Sequence, residues 1–172
     1  MVAAHLRTVT HSGAISANEV ETLVLKAARG GGLPLGCAED LAAAARYLDL
    51  DGLTRCPCSG EDPDVIAVQT ALDFVMAGEG PQTVEGDRVL IHAYVLAAQT
   101  AWGKRLVWSE TETGAIFERF DDTPVSPAQP LGRRTLSQDL AAHLSELAAR
   151  LLVPETDASR LAGAGAGLTD ND

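Results

Sequence analysis

Two stretches of this chain combine glycine with charge in a way that a plain core element does not need. The first is Lys26-Ala27-Ala28-Arg29-Gly30-Gly31-Gly32-Leu33-Pro34. Three consecutive glycines, Gly30, Gly31 and Gly32, let a ligand approach the backbone closely. A helix is expected to follow, and its N-terminus would present amides and a positive dipole end to an anion. Lys26 and Arg29 add charge. The stretch is not a Walker loop, since no Gly-Lys-Ser or Gly-Lys-Thr follows. It is not a dinucleotide fingerprint either, because no strand precedes it. The competing structural reading is an ordinary helix C-cap with solvated charges.

The second stretch is the C-terminal end. It carries Arg160, then Gly163-Ala164-Gly165-Ala166-Gly167, and finishes Thr169-Asp170-Asn171-Asp172. Clustered oxygens suit a hard divalent cation, which makes Asp170 and Asp172 the alternative metal pair, although adjacent residues need further donors to surround one ion. The composition equally fits a solvated acidic end. Glu39 and Asp40, on the expected second helix, are the carboxylates available for acid–base work.

Cys56-Pro57-Cys58 comes third. A structural zinc site takes four ligands, with paired cysteines usually two residues apart. Here the spacing is one residue and no second pair exists. Cys56 and Cys58 could form a redox pair, but a disulfide across a single residue closes a strained ring. With Cys37, the pair reads as ordinary reduced thiols in a loop. His5, His11, His92 and His143 sit in no hydrolase or metalloprotease motif. His92 and His143 read as packed or surface side chains.

The 172 residues fit one domain with a tail, and 46% apolar content supports a core. A net charge of -11 opposes phosphate backbones and anionic bilayers, which excludes nucleic acid and membrane as expected partners. No apolar run is long enough to span a bilayer, and no secretory h-region is evident. Three cysteines without a signal fit a reducing cytoplasm. No cofactor is expected.

The elements that must position these residues follow from caps and periods. Ser16-Ala17-Asn18-Glu19 is a capping box for a first helix that ends at Gly30. A second helix runs from Leu35 or Gly36 to Tyr47 or Leu48, which makes a helical hairpin. Asp62-Pro63 starts a third helix that reaches Met76. Thr83 to Asp87 reads as a short strand and turn. Val89 to Trp102 mixes β-formers with a helical period and is read as a helix stopped by Gly103. Arg105–Trp108 and Ala115–Phe120 make a hairpin. Arg133–Leu136 is a candidate third strand, and Ser137 caps a last helix. The fold expected is α+β: an N-terminal helical hairpin plus further helices packed on a small antiparallel sheet, with the last helix covering the sheet. Residues 1–15 form a tail or edge segment, 16–154 the domain, and 155–172 an extended Gly/Ala-rich tail.

Ser16–Glu21, Lys26–Gly30 and Gly36–Asp40, together with the ending Ala158–Asp172, resemble a bacterial domain-of-unknown-function family numbered three-seven-two-six. The resemblance implies a small bacterial cytosolic protein with the tail as part of the domain. It transfers no catalytic residue.

The leading functional expectation is therefore a metabolic accessory protein that binds a small anionic metabolite where the elbow meets the tail. Lys26, Arg29 and Gly30–Gly32 would face Arg160, Thr169, Asp170, Asn171 and Asp172. The alternatives are a small enzyme that uses Glu39 or Asp40, with or without a divalent ion, and an interaction module whose tail docks on an operon-encoded partner. The Ala-rich helices are also compatible with a homodimer.

Overall fold

The computed structural model describes residues 13–60 and 62–151, so the expected tail and its site residues lie outside the described residues. Five helices and three strands follow in the order α1 (Ala17–Gly30), α2 (Leu35–Ala45), α3 (Pro63–Met76), β1 (Gln82–Glu85), α4 (Arg88–Trp102), β2 (Lys104–Glu110), β3 (Gly114–Pro124) and α5 (Gln138–Ala149). This is the α+β arrangement the sequence predicts.

Side-chain caps fix where the helices begin. The Ser16 amide donates to Glu19 Oε2 at 2.7 Å, and the Glu19 amide donates to Ser16 Oγ at 3.3 Å, closing the capping box. Asp62 accepts from the Asp64 and Val65 amides at 3.0 and 3.4 Å, and Pro63 supplies the first helical φ of α3. Asp87 accepts from Val89 at 2.8 Å and so starts α4. The segment that mixes β-formers with a helical period is thus helical, with Leu90, Ile91, Tyr94, Val95 and Ala98 inward. Its cap outweighs the β-propensity of Val89–Val95. Gly103 ends it in the left-handed region at φ 64°.

The sheet is antiparallel in the order β1-β3-β2, with Val84 opposite Ala115 and Trp108 opposite Phe117. Val84, Leu106, Ala115 and Phe117 point to its buried face. Two expectations need correction. The third strand is β1, whereas the Arg133–Leu136 stretch makes only a single antiparallel bridge, Arg134 with Ile15. The helices against the sheet are α3 and α4, while α5 packs on α1. The stripe of α5 explains this: Leu144 and Leu147 are buried, and that narrow face matches α1, not a sheet.

Among the described residues, no helix is long and apolar enough to cross a membrane.

Asp62 carries two roles, since its 5% exposed carboxylate caps α3 and also pairs with Arg55 Nε at 3.1 Å. Asp62→Ala is expected to destabilise the fold by about 2 kcal/mol in urea denaturation, because both the cap and a buried charge-assisted hydrogen bond disappear. The cap-only variant Asp87→Ala should cost about 1 kcal/mol in the same measurement.

Candidate functional site

The elbow glycines have a different use from the one their composition suggests. Gly30 lies against α5 so closely that a Cβ there would overlap the Leu147 carbonyl. Gly31 lies against the loop between α2 and α3, where a Cβ would overlap the Cys58 carbonyl. The Gly60 amide donates back to the Gly31 carbonyl at 2.9 Å. Only a residue without a side chain permits these backbone-to-backbone approaches. The elbow therefore docks three pieces of chain together: the end of α1, the Cys56–Gly60 loop, and α5.

The elbow amides are spent internally. Gly31 donates to Ala27 at 2.7 Å, Gly32 to Arg29 at 3.1 Å, and Leu33 to Ala28 at 3.0 Å. They close the C-terminus of α1 and do not point toward a ligand. Arg29 is exposed, and Lys26 lines a groove along α1 with Ile15, Asn18, Glu19, Thr22 and Leu23. The premise of the elbow anion site, free glycine amides, is thus corrected. Arg160, Thr169, Asp170, Asn171 and Asp172, the other half of the expected site, lie outside the described residues, as does the Asp170/Asp172 metal alternative. Glu39 and Asp40 are exposed on α2, and Asp40 lines a separate cavity with Gln69, Tyr94 and Trp102.

What the docking assembles is a thiol centre. In the Cys56-Pro57-Cys58 loop, Pro57 and Cys58 are fully buried and Cys56 is half-buried. Such burial is unusual for a connecting segment. The loop is tied at both ends: Gly60 bonds to Gly31, and Arg55 reaches Asp62 Oδ2 at 3.1 Å and Asp64 Oδ2 at 2.9 Å. His143, on α5 one turn before Leu147, is near enough to Cys56 to act on its thiol by charge and hydrogen bonding.

These neighbours set the charge of the pair. The Cys56 thiol is drawn down to about 6. Hydrogen bonding from the Cys58 side chain is the largest cause, opposed by burial. The Cys58 backbone amide and His143, by charge and by hydrogen bonding, lower it further. Cys58 moves the opposite way, far above an ordinary thiol, because it donates to Cys56, is buried, and faces the charges of Cys56 and Asp62. Within the pair, the neighbours thus favour ionisation at the half-buried Cys56 over the buried Cys58. Cys37, the third thiol, is pushed up by burial and by Asp40 and Asp73. Of the three free thiols, Cys56 is therefore drawn down while Cys58 and Cys37 are pushed up.

Among the described residues, no group of three or more His, Cys, Asp or Glu side chains is placed to hold a metal ion. A cleft of about 360 Å³ opens beside Pro57, between Leu53, Asp87 and Thr113. Its one cation, Arg55, is already engaged by two aspartates.

Residues 15–57 match the family model described as a protein of unknown function (DUF3726). The match covers α1, the glycine elbow, α2 and the loop through Cys56 and Pro57, and stops before Cys58. No curated protein and no solved structure matches the chain.

Sequence reasoning missed the site because no spacing links Cys56 to His143, which lies far along the chain. The available signal was the glycine run itself, which marks close backbone approach whether the visitor is a ligand or the chain's own loop.

With Cys37 replaced by serine, alkylation of Cys56 by iodoacetamide should rise through a midpoint of about 6. An ordinary thiol titrates near about 8.5. Because the thiolate reacts, a lowered midpoint keeps the rate high as pH falls, and loses it only below that midpoint. Cys58→Ala should move the midpoint upward most, and His143→Ala less. Gly31→Ala should destabilise the fold by about 1–3 kcal/mol through overpacking and move the Cys56 midpoint up as the loop is displaced.

Proposed function

We propose that this protein is a dithiol–disulfide exchange protein, with Cys56 as nucleophile, Cys58 as resolving thiol and His143 as the group that holds the thiolate. The observation that supports it is the convergence of the Cys58 thiol, the Cys58 amide and His143 on a single half-buried sulfur.

The chemistry follows from the charges. The Cys56 thiolate attacks one sulfur of an incoming disulfide. A Cys56–substrate disulfide forms, and the other substrate sulfur leaves as a thiolate. Cys56 is then no longer anionic, so the largest force raising Cys58 is removed. Cys58 gives up its proton to the departing thiolate or to solvent and attacks the Cys56 sulfur. The first substrate sulfur leaves. The protein has lost two electrons and the Cys58 proton, and one disulfide has become two thiols, the second of them protonated by solvent. A disulfide across a single residue is strained and therefore oxidising. Its reduction potential is expected above the roughly −300 mV of structural disulfides.

The anionic-metabolite reading and the acid–base enzyme reading have less support. The first depended on free elbow amides, and those amides are bonded within α1 and its turn. For the second, Glu39 and Asp40 are neighbours on one exposed helix face and do not converge on a nucleophile.

The test is reaction of the reduced full chain with glutathione disulfide, followed by peptide mass mapping. The expected product is a Cys56–Cys58 disulfide with release of two glutathione thiols. Cys58→Ser should halt the reaction with glutathione held on Cys56, and Cys56→Ser should abolish it. Glutathione capture at Cys37 as fast as at Cys56, or a Cys56/Cys58 pair that stays reduced in excess glutathione disulfide, would sink the proposal.

A further inference from the structure

The outward face of α3 differs from those of α1, α2 and α5. Of the seven large apolar side chains exposed among the described residues, three lie on this helix: Ile66, which is 40% exposed, Phe74, 48% exposed, and Met76. Ile66, Ala67, Thr70, Asp73, Phe74 and Ala77 follow one another along the outward side at helical spacing. The stripe has one charge, Asp73, which accepts from Gln69 of its own helix at 3.3 Å. By contrast, α1 shows Lys26 and Arg29 to solvent, α2 shows Glu39 and Asp40, and α5 shows Glu146 and Arg150. The inward side of α3 is apolar too, with Val65, Val68, Leu72 and Val75 in the core. A helix that is apolar all round is expected to have both sides covered.

Charge selects what can cover the outward side. The stripe has no row of cations or anions, so a basic or acidic partner gains no ion pairs there. It fits another apolar stripe, and it is complementary to itself. Thr70 is the midpoint. At about 3.6 residues per turn, Ala67 and Phe74 share one flank of the stripe, and Ile66 and Asp73 share the other. When two copies of α3 lie antiparallel about a two-fold axis through Thr70, each large Phe74 comes opposite the partner's Ala67, a small residue with room beside it. On the other flank Asp73 comes beside the partner's Ile66, so its carboxylate stays at the rim and meets no second carboxylate. Antiparallel helices also set opposite dipole ends side by side. We propose that this face joins two copies of the chain in a homodimer, as an isologous antiparallel pair of α3 helices centred on Thr70.

Area and net charge set its strength. The exposed parts of the stripe come to roughly 500 Å² on one chain, so a pair buries roughly 1,000 Å², the lower end of specific interfaces. Each chain also carries a net charge of -11, which repels its copy. Association is therefore reversible and concentration-dependent, not obligate.

The experiment is sedimentation velocity of the full chain between about 10 µM and 1 mM, with reductant present so that no disulfide joins two copies. The sedimentation coefficient is expected to rise from the monomer toward the dimer. Added salt should strengthen association, because it screens the repulsion and spares the apolar contact. Phe74→Ala should weaken it about tenfold. Ala67→Phe should weaken it as well, because the new ring fills the space that the partner's Phe74 needs. The two substitutions together exchange ring and gap and should restore association. Thr70→Glu sets two carboxylates against each other on the two-fold axis and should abolish it. These residues are exposed, so the melting temperature of each variant at low concentration should stay within a few degrees of the parent.

A chain that stays monomeric at about 1 mM overturns the proposal and leaves the face to a different apolar partner. Association that survives Thr70→Glu overturns it, since another surface then carries the contact. Association that weakens as salt rises does so too, since the contact is then ionic. A double variant no better than Phe74→Ala alone overturns the antiparallel arrangement about Thr70.

Discussion

The structure depends on two backbone contacts that only glycine allows. At Gly30 the main chain of α1 meets the main chain of α5, and at Gly31 it meets the carbonyl of Cys58. Packed interiors have little free volume, so a methyl group at either point would push whole segments apart. Everything at the thiol centre follows from this approach. Cys56 belongs to a loop between α2 and α3 and His143 to the last helix, and those two elements are also tied where the Ser137 amide at the start of α5 donates to Asp51 at 3.0 Å. The end of α1 is the common floor on which both rest.

The second constraint is charge. With a net charge of -11, a further anion is unfavourable unless donors are placed against it. Cys37 and Cys56 show both outcomes in one chain. Burial, then the charges of Asp40 and Asp73, push the Cys37 thiol up, whereas the Cys58 thiol and amide and the His143 imidazole draw the Cys56 thiol down. The neighbours are chosen by the fold, not by sequence distance, for Asp73 lies on α3 and His143 on α5.

The scaffold was legible because its signals are local. Ser16 with Glu19, Asp62 with Pro63, and Gly103 each state a helix end within a few residues, and each stands where those residues imply. The hairpin of β2 and β3 was legible from Thr111–Gly114 between two apolar runs. What could not be read is how the elements dock. The apolar stripe of α5 says that it buries a face, but not that the face belongs to α1 instead of the sheet. The site suffered from the same limit. Gly30–Gly32 was correctly marked as a place of close approach, yet composition does not name the visitor. The middle of the chain looked like scaffold because Cys56-Pro57-Cys58 matches no zinc pattern, and a thiol activated by a histidine on a distant helix leaves no trace in spacing. Tyr94 likewise reads as one more core position of α4, and only the packing shows its hydroxyl unpaired.

The two kinds of contact at the thiol centre respond differently to chemistry. The glycine contacts are steric and do not change with oxidation state. The contacts of Cys56 with Cys58 and His143 are charge-dependent and last only while the sulfur is anionic. Forming a disulfide between Cys56 and Cys58 removes that charge and leaves His143 without its anion. It does not undo the backbone docking at Gly30 and Gly31. The response to oxidation is therefore expected at the strained Cys56–Cys58 loop and its junction with α5, while the steric docking at Gly30 and Gly31 carries no charge dependence. In the exchange chemistry proposed above, a steric floor beneath a charge-dependent contact would let the sulfur pair change state without the domain having to refold.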